Sequence, residues 1–424
     1  MSKAIIIGAG IAGIAAAIRL AIKGHQVEVF EASAQAGGKL SEIRLGSFRF
    51  DAGPSLFTMP QYVDELFRLA GKNPPDYFQY NKLDTICNYF YEDGTRIHAF
   101  ADPEKFAEEI AEKTNDSAGS VLDFLSKSRD IYEITNPVFL QRSLHNLGTL
   151  KSLLRFPQID AFRSMNQANE ARFKDSRTIR LFNRYATYNG SNPYQAPATL
   201  NIIPHFEQHF GAYFPLGGMY AIVSSLTKLA IDLGVKFHFN SYVDEIEIKS
   251  SKVVGISCGE QIHPADLVIS NMDVWYTYTR LLKGTKLPAR LKTQERSSSA
   301  LIFYWGINAS FAELGLHNIF FTEDYQEEFR QIWNEKVIGS DPTIYVHISS
   351  KSNPKDAPEG SENWFTMINV PSDTGQDWDE LIRVSRKNII EKLSRNLGRD
   401  ISQLISCESV LDPRGIDSKT FSYQ

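Results

Sequence analysis

The first 31 residues contain a strand, a glycine-rich turn, a helix and a second strand in the order of a dinucleotide-binding fold. The apolar run 5–7 (III) leads directly into Gly8, Gly10 and Gly13, which have the spacing G-x-G-x-x-G. The first glycine permits a tight turn, the second lets a pyrophosphate approach the backbone, and the third lets the helix pack on the strand. Glu31 ends the second strand 21 residues after Gly10, where a carboxylate binds a ribose hydroxyl. The pattern predicts a Rossmann-type nucleotide-binding domain.

The identity of the dinucleotide is only partly fixed by these residues. Glu31 suits a ribose with a free 2′-hydroxyl, which argues against NADP and leaves FAD and NAD open. Two later motifs bear on the choice: GGK at 37–39, and FRFDAGP at 48–54, a short strand that ends in a tight turn. A glycine doublet lets a second stretch of backbone pass beside a cofactor. In isolation, the doublet is more typical of an ordinary surface turn.

With these two motifs, the sequence resembles the flavin-dependent amine oxidase and carotenoid desaturase superfamily. The resemblance extends from Ala4 to about Ile416, and four further segments resemble the bacterial phytoene desaturase family: RYATYNGSNPY (184–194), FPLGGMY (214–220), ADLVISNMD (265–273) and DPTIY (341–345). Within that family, SALIFYWG (299–306) and ENWF (362–365) resemble the hydroxycarotenoid 3,4-desaturases. The resemblance implies that the cofactor is FAD.

The cofactor site follows from the fingerprint and the resemblance together. The Val243 backbone is expected against the adenine, and Asn271 and Asp273 where the chain returns to the flavin-binding sheet. The expected FAD-binding residues are Gly8, Gly10, Ile11, Ala12, Gly13, Glu31, Ala32, Gly37, Gly38, Lys39, Pro54, Ser55, Val243, Asn271 and Asp273.

The chain is expected to be an α/β protein with discontinuous domains, because 424 residues exceed what one compact core holds. Strand and helix patterns return to nucleotide-domain character after residue 210. We expect a Rossmann-type FAD-binding domain at 1–80 plus 211–280. We also expect a mixed α+β substrate-binding domain at 81–100 plus 281–412, and a helical insertion at 101–210.

The reaction implied by the resemblance is desaturation of an apolar carotenoid, with hydride transfer from an allylic carbon to flavin N5 and loss of a proton. Oxygen and a quinone are both open as electron acceptors. Arg155 is the catalytic candidate, because KSLLR (151–155) matches a polar segment of the family. Ser152 stands where an acid is expected, and a solvated helical arginine is the alternative. His205 and the pair His317-Asn318 are candidates that also suit structural roles.

Composition excludes several other classes. A net charge of −5 gives no reason to expect nucleic acid binding. The three cysteines are scattered, which favours a reduced cytoplasmic setting with buried thiols and no metal site. No run approaches the ~20 apolar residues that span a bilayer. The segment 139–173 mixes apolar residues with Arg142, Lys151 and Arg163, which suits either a peripheral membrane face or a helical cap packed on its own domain.

Two alternatives stay open at the level of sequence. Another flavin oxidase of the amine oxidase type would share the fold, and so would a lipid carrier that has lost its flavin. The resemblance also implies a final glycine-rich segment that completes the flavin site. The sequence stops where that segment would begin, so we expect a trimmed or truncated chain.

Overall fold

A computed structural model describes residues 2–137 and 158–422. The chain forms two compact units, each assembled from separate stretches of sequence. Unit 1 consists of Met1–Asn81, Tyr213–Arg296 and Pro413–Gln424, and unit 2 consists of Lys82–Ala212 and Ser297–Asp412.

Nineteen strands are found within the described residues, and we number them along the chain. They are β1 (Lys3–Ile7), β2 (Gln26–Phe30), β3 (Glu42–Leu45), β4 (Phe48–Asp51), β5 (Phe57–Thr58), β6 (Tyr80–Lys82), β7 (Thr85–Phe90), β8 (Arg96–Phe100), β9 (Ala212–Pro215), β10 (Lys236–His238), β11 (Glu245–Lys249), β12 (Lys252–Cys258), β13 (Gln261–Pro264), β14 (Leu267–Ser270), β15 (Ser299–Ile307), β16 (His317–Phe320), β17 (Ile344–Ile348), β18 (Glu362–Val370) and β19 (Ile405–Leu411).

The α-helices of the same residues range from single turns to five turns. They are α1 (Ile11–Ile22), α2 (Gln61–Leu69), α3 (Pro103–Lys113), α4 (Ala118–Thr135), α5 (Met165–Glu170), α6 (Ser176–Asn183), α7 (Ile203–His205), α8 (Tyr220–Asp232), α9 (Val274–Tyr276), α10 (Ala289–Thr293), α11 (Tyr325–Arg330), α12 (Trp378–Leu397) and α13 (Pro413–Thr420).

Unit 1 is built on a four-stranded parallel sheet in the order β10-β2-β1-β14. Helix α1 connects β1 to β2, so the first 31 residues form the predicted β-α-β unit. The central strand β1 reads as a continuous apolar run because both faces of a parallel sheet are covered. Ile5 and Ile7 accordingly lie in a buried cluster with Phe30, Val243 and Ile256. Unit 1 also contains a separate antiparallel sheet of three strands in the order β11-β12-β13.

Unit 2 is built on a seven-stranded sheet in the order β19-β15-β18-β17-β16-β7-β8. All its neighbours are antiparallel except β16 and β7. Its core joins Trp305 and Trp364 of the sheet to Ile389 and Leu393 of α12. Helices α3 to α7 belong to the same compact unit as this sheet.

Most of the elements predicted from sequence are confirmed, with ends that shift by one to three residues. The sequence pattern predicts helices over 219–233 and over 378–397, and the structure has α8 and α12 there. Strands β3, β5 to β9 and β19 had no prediction. The expectation of buried thiols holds for Cys87, whereas Cys258 and Cys407 are half-buried.

Candidate functional site

A groove at the carboxyl ends of β1 and β2 gathers most of the predicted site residues in unit 1. Its volume is about 520 Å³. Thirteen of the fifteen predicted residues line it: Gly8, Gly10, Ile11, Ala12, Glu31, Ala32, Gly37, Gly38, Lys39, Pro54, Val243, Asn271 and Asp273. Ser55 is not among the lining residues. Gly13 is not either, because it faces the sheet: a Cβ there would lie 2.2 Å from the carbonyl oxygen of Gly8.

The amino-terminal end of α1 opens into this groove without a side-chain cap. Gly10 occupies the N-cap position, makes no side-chain hydrogen bond, and is followed by a first turn with no acidic residue. The first N–H groups of a helix have no acceptor within the helix, and the helix dipole adds positive potential there. This end of α1 is therefore suited to an anionic group such as a pyrophosphate.

Space beside Gly10 is limited by Asn271. A Cβ on Gly10 would lie 2.8 Å from the Asn271 Nδ2 atom. Asn271 is fixed in turn, because its backbone N–H donates to the carbonyl of Ile7 over 2.8 Å. Asp273, two residues later, caps α9 by accepting a hydrogen bond from the N–H of Trp275. The return of the chain from β14 thus forms one wall of the groove.

The glycine doublet forms another wall, and a network that sequence reasoning missed holds it in place. Gly37 donates its N–H to the carbonyl of Ala9 over 2.9 Å and adopts φ +128°, a conformation that L side chains rarely adopt. Tyr220 donates its hydroxyl to the carbonyl of Ala36 over 3.0 Å. Burial raises the pKa of Tyr220, so the hydroxyl stays protonated and can donate. The doublet is therefore supported from the first turn of α8.

A buried ion pair between Arg49 and Asp51 holds the backbone of Tyr220 in place. Asp51 accepts hydrogen bonds from Arg49, over 2.7 Å, and from the Tyr220 backbone N–H, over 3.3 Å. A Cβ on Gly218 would lie 2.4 Å from the Arg49 guanidinium. Only the motifs FRFDAGP and FPLGGMY pointed to this arrangement, and neither motif alone indicates that the two segments meet.

Comparisons with known proteins identify the family. The family described as flavin containing amine oxidoreductase matches residues 11–414. A 1-hydroxycarotenoid 3,4-desaturase from Flavobacterium sp. (strain P99-3) is 48% identical over the whole chain and is itself 88% covered. A 4,4'-diapolycopene oxygenase from Methylomonas sp is 32% identical over the whole chain, with 86% of its own length covered. A phytoene desaturase from Fusarium fujikuroi is 31% identical over 96% of the chain, with 77% of its own length covered.

The chain belongs to the carotenoid desaturase family of the flavin-containing amine oxidoreductases. The predicted family, α/β fold class and FAD cofactor are thereby confirmed. Solved structures agree on the fold: an oxidoreductase from Methanosarcina mazei has a TM-score of 0.64 at 18% identity, covering 96% of this chain and 87% of its own. A redesigned putrescine oxidase has a TM-score of 0.65 at 13% identity, covering 100% and 87%.

The groove of the desaturase has the features that FAD requires. Gly10 leaves open a space that any side chain would fill, and the uncapped α1 terminus is suited to bind an anion. Glu31 lines the same groove at the end of β2 and presents a carboxylate for a ribose diol. Further lining residues were not predicted: Phe30, Ser33, Leu40, Ser241, Tyr242, Met272 and the stretch Lys419, Thr420, Phe421 and Ser422.

Three candidate catalytic residues of the described part of the chain, His205, His317 and Asn318, belong to unit 2. Arg155, Ser152 and Lys151 lie outside the described residues. His205 is buried in unit 2, with its ring stacked on His209 at 4.5 Å, and burial lowers its pKa to about 4. Its imidazole is therefore neutral at physiological pH. Within residues 2–137 and 158–422, no group of three potential metal ligands is found.

His317 is a neutral buried histidine in the seven-stranded sheet. Its Nδ1 lies 2.7 Å from the Tyr345 hydroxyl, and its ring stacks on His347 at 5.1 Å. Burial holds its pKa well below the usual value. The side-chain amide of the neighbouring Asn318 accepts a hydrogen bond from the Gly315 N–H and donates to the carbonyls of Gly315 and Val346. Asn318 thus stabilises a turn and a strand, which is a structural role.

A buried ionic network in unit 2 includes Arg184, Tyr185 and Tyr188 of the RYATYNGSNPY motif. Glu207 accepts hydrogen bonds from Arg184 over 3.1 Å, from the Tyr185 hydroxyl over 2.7 Å, and from the Tyr188 hydroxyl. Arg184 also donates to the Tyr89 hydroxyl over 2.7 Å. Burial raises the pKa of Tyr185 well above its usual value, so that phenol remains a donor. The motif residues therefore surround one carboxylate and saturate it.

Proposed function

We propose that this protein is a hydroxycarotenoid 3,4-desaturase that uses FAD bound in the groove of unit 1. The observation that carries the proposal is the 48% identity, over the whole chain, to a protein named 1-hydroxycarotenoid 3,4-desaturase. The two segments that resembled this branch in the sequence pair with each other. SALIFYWG lies on β15 and ENWF on β18, with Trp305 opposite Trp364.

The proposed roles in cofactor binding follow the groove. The α1 terminus and Gly10 would hold the pyrophosphate, Glu31 the adenosine ribose, and Val243 the adenine. Lys39, which is exposed in the lining, supplies a positive charge. FAD, when bound, supplies the oxidising power for removal of a hydride from an allylic carbon. The chain contributes binding, orientation and exclusion of water.

Unit 2 is the proposed substrate domain. Its sheet is held by a buried core in which Phe303, Trp305 and Trp364 are essentially inaccessible to water. A polyene that is positioned by such a rigid unit needs no strong base, since the positive charge that develops at an allylic carbon delocalises over the conjugated chain. Positioning is therefore the main contribution expected from this unit.

Peripheral binding to the cytoplasmic membrane is the proposed setting, with a quinone or oxygen as the electron acceptor. No helix of residues 2–137 and 158–422 is long and apolar enough to cross a bilayer. Phe162 is 88% exposed and is followed by Arg163. An exposed aromatic beside a cation suits the boundary between headgroups and acyl chains.

The test begins with the absorbance spectrum of the purified chain before and after addition of FAD. A flavin band that persists through gel filtration is expected. The FAD-bound protein is then incubated with a 1-hydroxycarotenoid in liposomes, and the expected product absorbs at longer wavelength because its conjugation is extended. A colourless protein that never takes up FAD would support the lipid-carrier alternative. A flavoprotein that oxidises amines but not carotenoids would support the amine oxidase alternative.

A further inference from the structure

The side chain of Gln208 in unit 2 is buried without a hydrogen-bond partner. The residue is 5% exposed, and both its Oε1 and its Nε2 are inaccessible and unpaired. Among the described residues, no other side chain leaves two such atoms unpaired. Buried polar groups in folded proteins are paired in the great majority of cases, because an unpaired group loses its hydration without compensation. The amide of Gln208 therefore has room for hydrogen bonds to a group that does not belong to the described chain.

The backbone at Gln208 has an unusual but firmly held form. Three helix types follow one another: a 3₁₀ turn at Ala198–Ile202, α7, and a π turn at Phe206–Phe210. Short π turns occur frequently at functional sites. The preceding residue, Glu207, is bound by Arg184 and two tyrosine hydroxyls and fixes the turn from one side.

Aromatic rings surround the other residues of the same turn. The Tyr132 ring lies 5.9 Å from that of Phe206 and 5.3 Å from that of Phe210, measured between centroids. Such rings offer an amide no strong hydrogen bond. The π turn therefore carries one unsatisfied amide, and two of its other residues contact an aromatic ring.

A second unpaired acceptor lies on the same helical run. Asn201 Oδ1 is buried without a partner, while its Nδ2 donates to Asn169 over 2.9 Å. Asn169 donates to Asn183 over 2.8 Å, and Asn183 to Asn166 over 2.7 Å. A chain of amides polarises its members, which makes the free oxygen at its end a better acceptor. Both unpaired amides fall within residues 198–210.

We propose that this run holds a subsite for the substrate hydroxyl, with Gln208 as its main contact. The inference rests on the proposed function, because a hydroxycarotenoid is hydrocarbon apart from its alcohol. An alcohol donates one hydrogen bond and accepts others, so it pairs with both the oxygen and the nitrogen of an amide. A carotenoid without the hydroxyl leaves Gln208 unsatisfied. Gln208 is thus a specificity-determining residue that distinguishes hydroxylated from plain carotenoids.

The test is a competition between two substrates in the same liposomes. FAD-bound enzyme is given equal amounts of a 1-hydroxycarotenoid and of the same carotenoid without the hydroxyl. The ratio of initial product formation equals the ratio of the two kcat/KM values, and it does not depend on how much enzyme is folded or holds FAD. Wild type is expected to favour the hydroxylated substrate. Gln208→Leu is expected to reduce that preference about tenfold or more.

Melting temperature separates this role from a structural one. Because Leu removes an unpaired buried amide, Gln208→Leu is expected to melt no lower than wild type. Gln208→Met, an unbranched side chain of similar length, serves if the Leu variant does not fold. Thr227→Val removes another unpaired buried group, in unit 1, and is expected to leave the preference unchanged.

Three results would overturn the proposal. A wild-type enzyme that desaturates both carotenoids equally well would refute the subsite and leave carotenoid desaturation intact. Variants that lose activity on both substrates equally, with a lower melting temperature, would show that Gln208 is structural. A wild-type flavoprotein that oxidises neither carotenoid would refute the proposed function and the subsite with it.

Discussion

The carboxylate of Glu31 accepts a hydrogen bond from the backbone N–H of Ala9, with 2.7 Å between the nitrogen and Oε2. Its Oε1 accepts a second hydrogen bond from the N–H of Ser33 over 2.9 Å. One side chain therefore ties the end of β2 to the glycine turn after β1. A carboxylate has about four acceptor positions, so two remain for a ribose diol.

Replacement of Glu31 is expected to weaken FAD binding in a graded way. Glu31→Ala removes every acceptor and is expected to raise the Kd about tenfold to a hundredfold, the equivalent of one or two hydrogen bonds to a charged group. Glu31→Gln keeps one oxygen and is expected to lose less. Flavin fluorescence titration measures both. Glu28→Gln, on the same strand but outside the groove, is the control, and an equal loss there would contradict a specific role for Glu31.

Gly10 is expected to tolerate no branched side chain. In Gly10→Val the Cβ would lie 2.8 Å from Asn271 Nδ2, and the methyl groups would occupy the space that a pyrophosphate needs. The variant is expected to lose flavin during gel filtration. Gly119→Ala is the matched control, because its Cβ would meet only the Ser117 hydroxyl at 3.8 Å. A yellow and active Gly10→Val protein would contradict the assignment of the groove.

Tyr220 is expected to strengthen FAD binding by holding the glycine doublet, Gly37 and Gly38, in position. Tyr220→Phe removes the hydrogen bond to the Ala36 carbonyl but keeps the ring beside Gly37. The Kd for FAD is expected to rise a few-fold, with a melting temperature close to that of wild type. Tyr62→Phe, at a 44% exposed position, controls for loss of a tyrosine hydroxyl. An unchanged Kd would mean that the doublet keeps its position without Tyr220.

The sequence predicted the fold of unit 1 better than that of unit 2, for a physical reason. Short-range signals define the β-α-β unit: an apolar strand, three glycines and a terminal acid within 31 residues. Strand β7 pairs with β16, about 230 residues away, so Asn88 faces Asn318 across a sheet that no local pattern indicates. The Arg49–Asp51–Tyr220 network and the unpaired amide of Gln208 also depend on tertiary contacts. The spacing of residues along the chain predicts the fingerprint glycines and Glu31, whereas it gives no signal for contacts between distant segments.

Membrane binding is expected to depend on the helical region of unit 2. Phe162→Ser removes an 88% exposed aromatic ring and is expected to reduce co-sedimentation with anionic liposomes. The triple variant Arg142→Ala, Lys151→Ala, Arg155→Ala, at positions outside the described residues, is expected to weaken binding more at low salt than at high salt. Tyr62→Phe, in unit 1, is the control. Equal sedimentation of all proteins would reject this membrane face.

Stability is expected to depend on pH through Glu328, which is buried in unit 2. Burial raises its pKa to about 7, although hydrogen bonds from the Thr343 N–H and hydroxyl, at 2.8 and 2.7 Å, oppose the shift. An acid whose pKa is higher in the folded chain takes up a proton on folding. Its contribution to stability is therefore fully present below the unfolded pKa of 4.5 and is lost as the pH rises through about 7.

Glu328→Gln is expected to remove this pH dependence, because the amide keeps an acceptor for Thr343 and carries no charge. The gain in unfolding free energy relative to wild type is expected to be larger at pH 8 than at pH 5, by up to about 3 kcal/mol. Urea unfolding at both pH values, with FAD in excess, measures the difference. Glu327→Gln, at a half-buried neighbour paired with Arg330, is the control and should show no such change between the two pH values. If Glu328→Gln and Glu327→Gln behave alike, Glu328 is ionised at neutral pH without cost, and the burial of its carboxylate is compensated by Thr343.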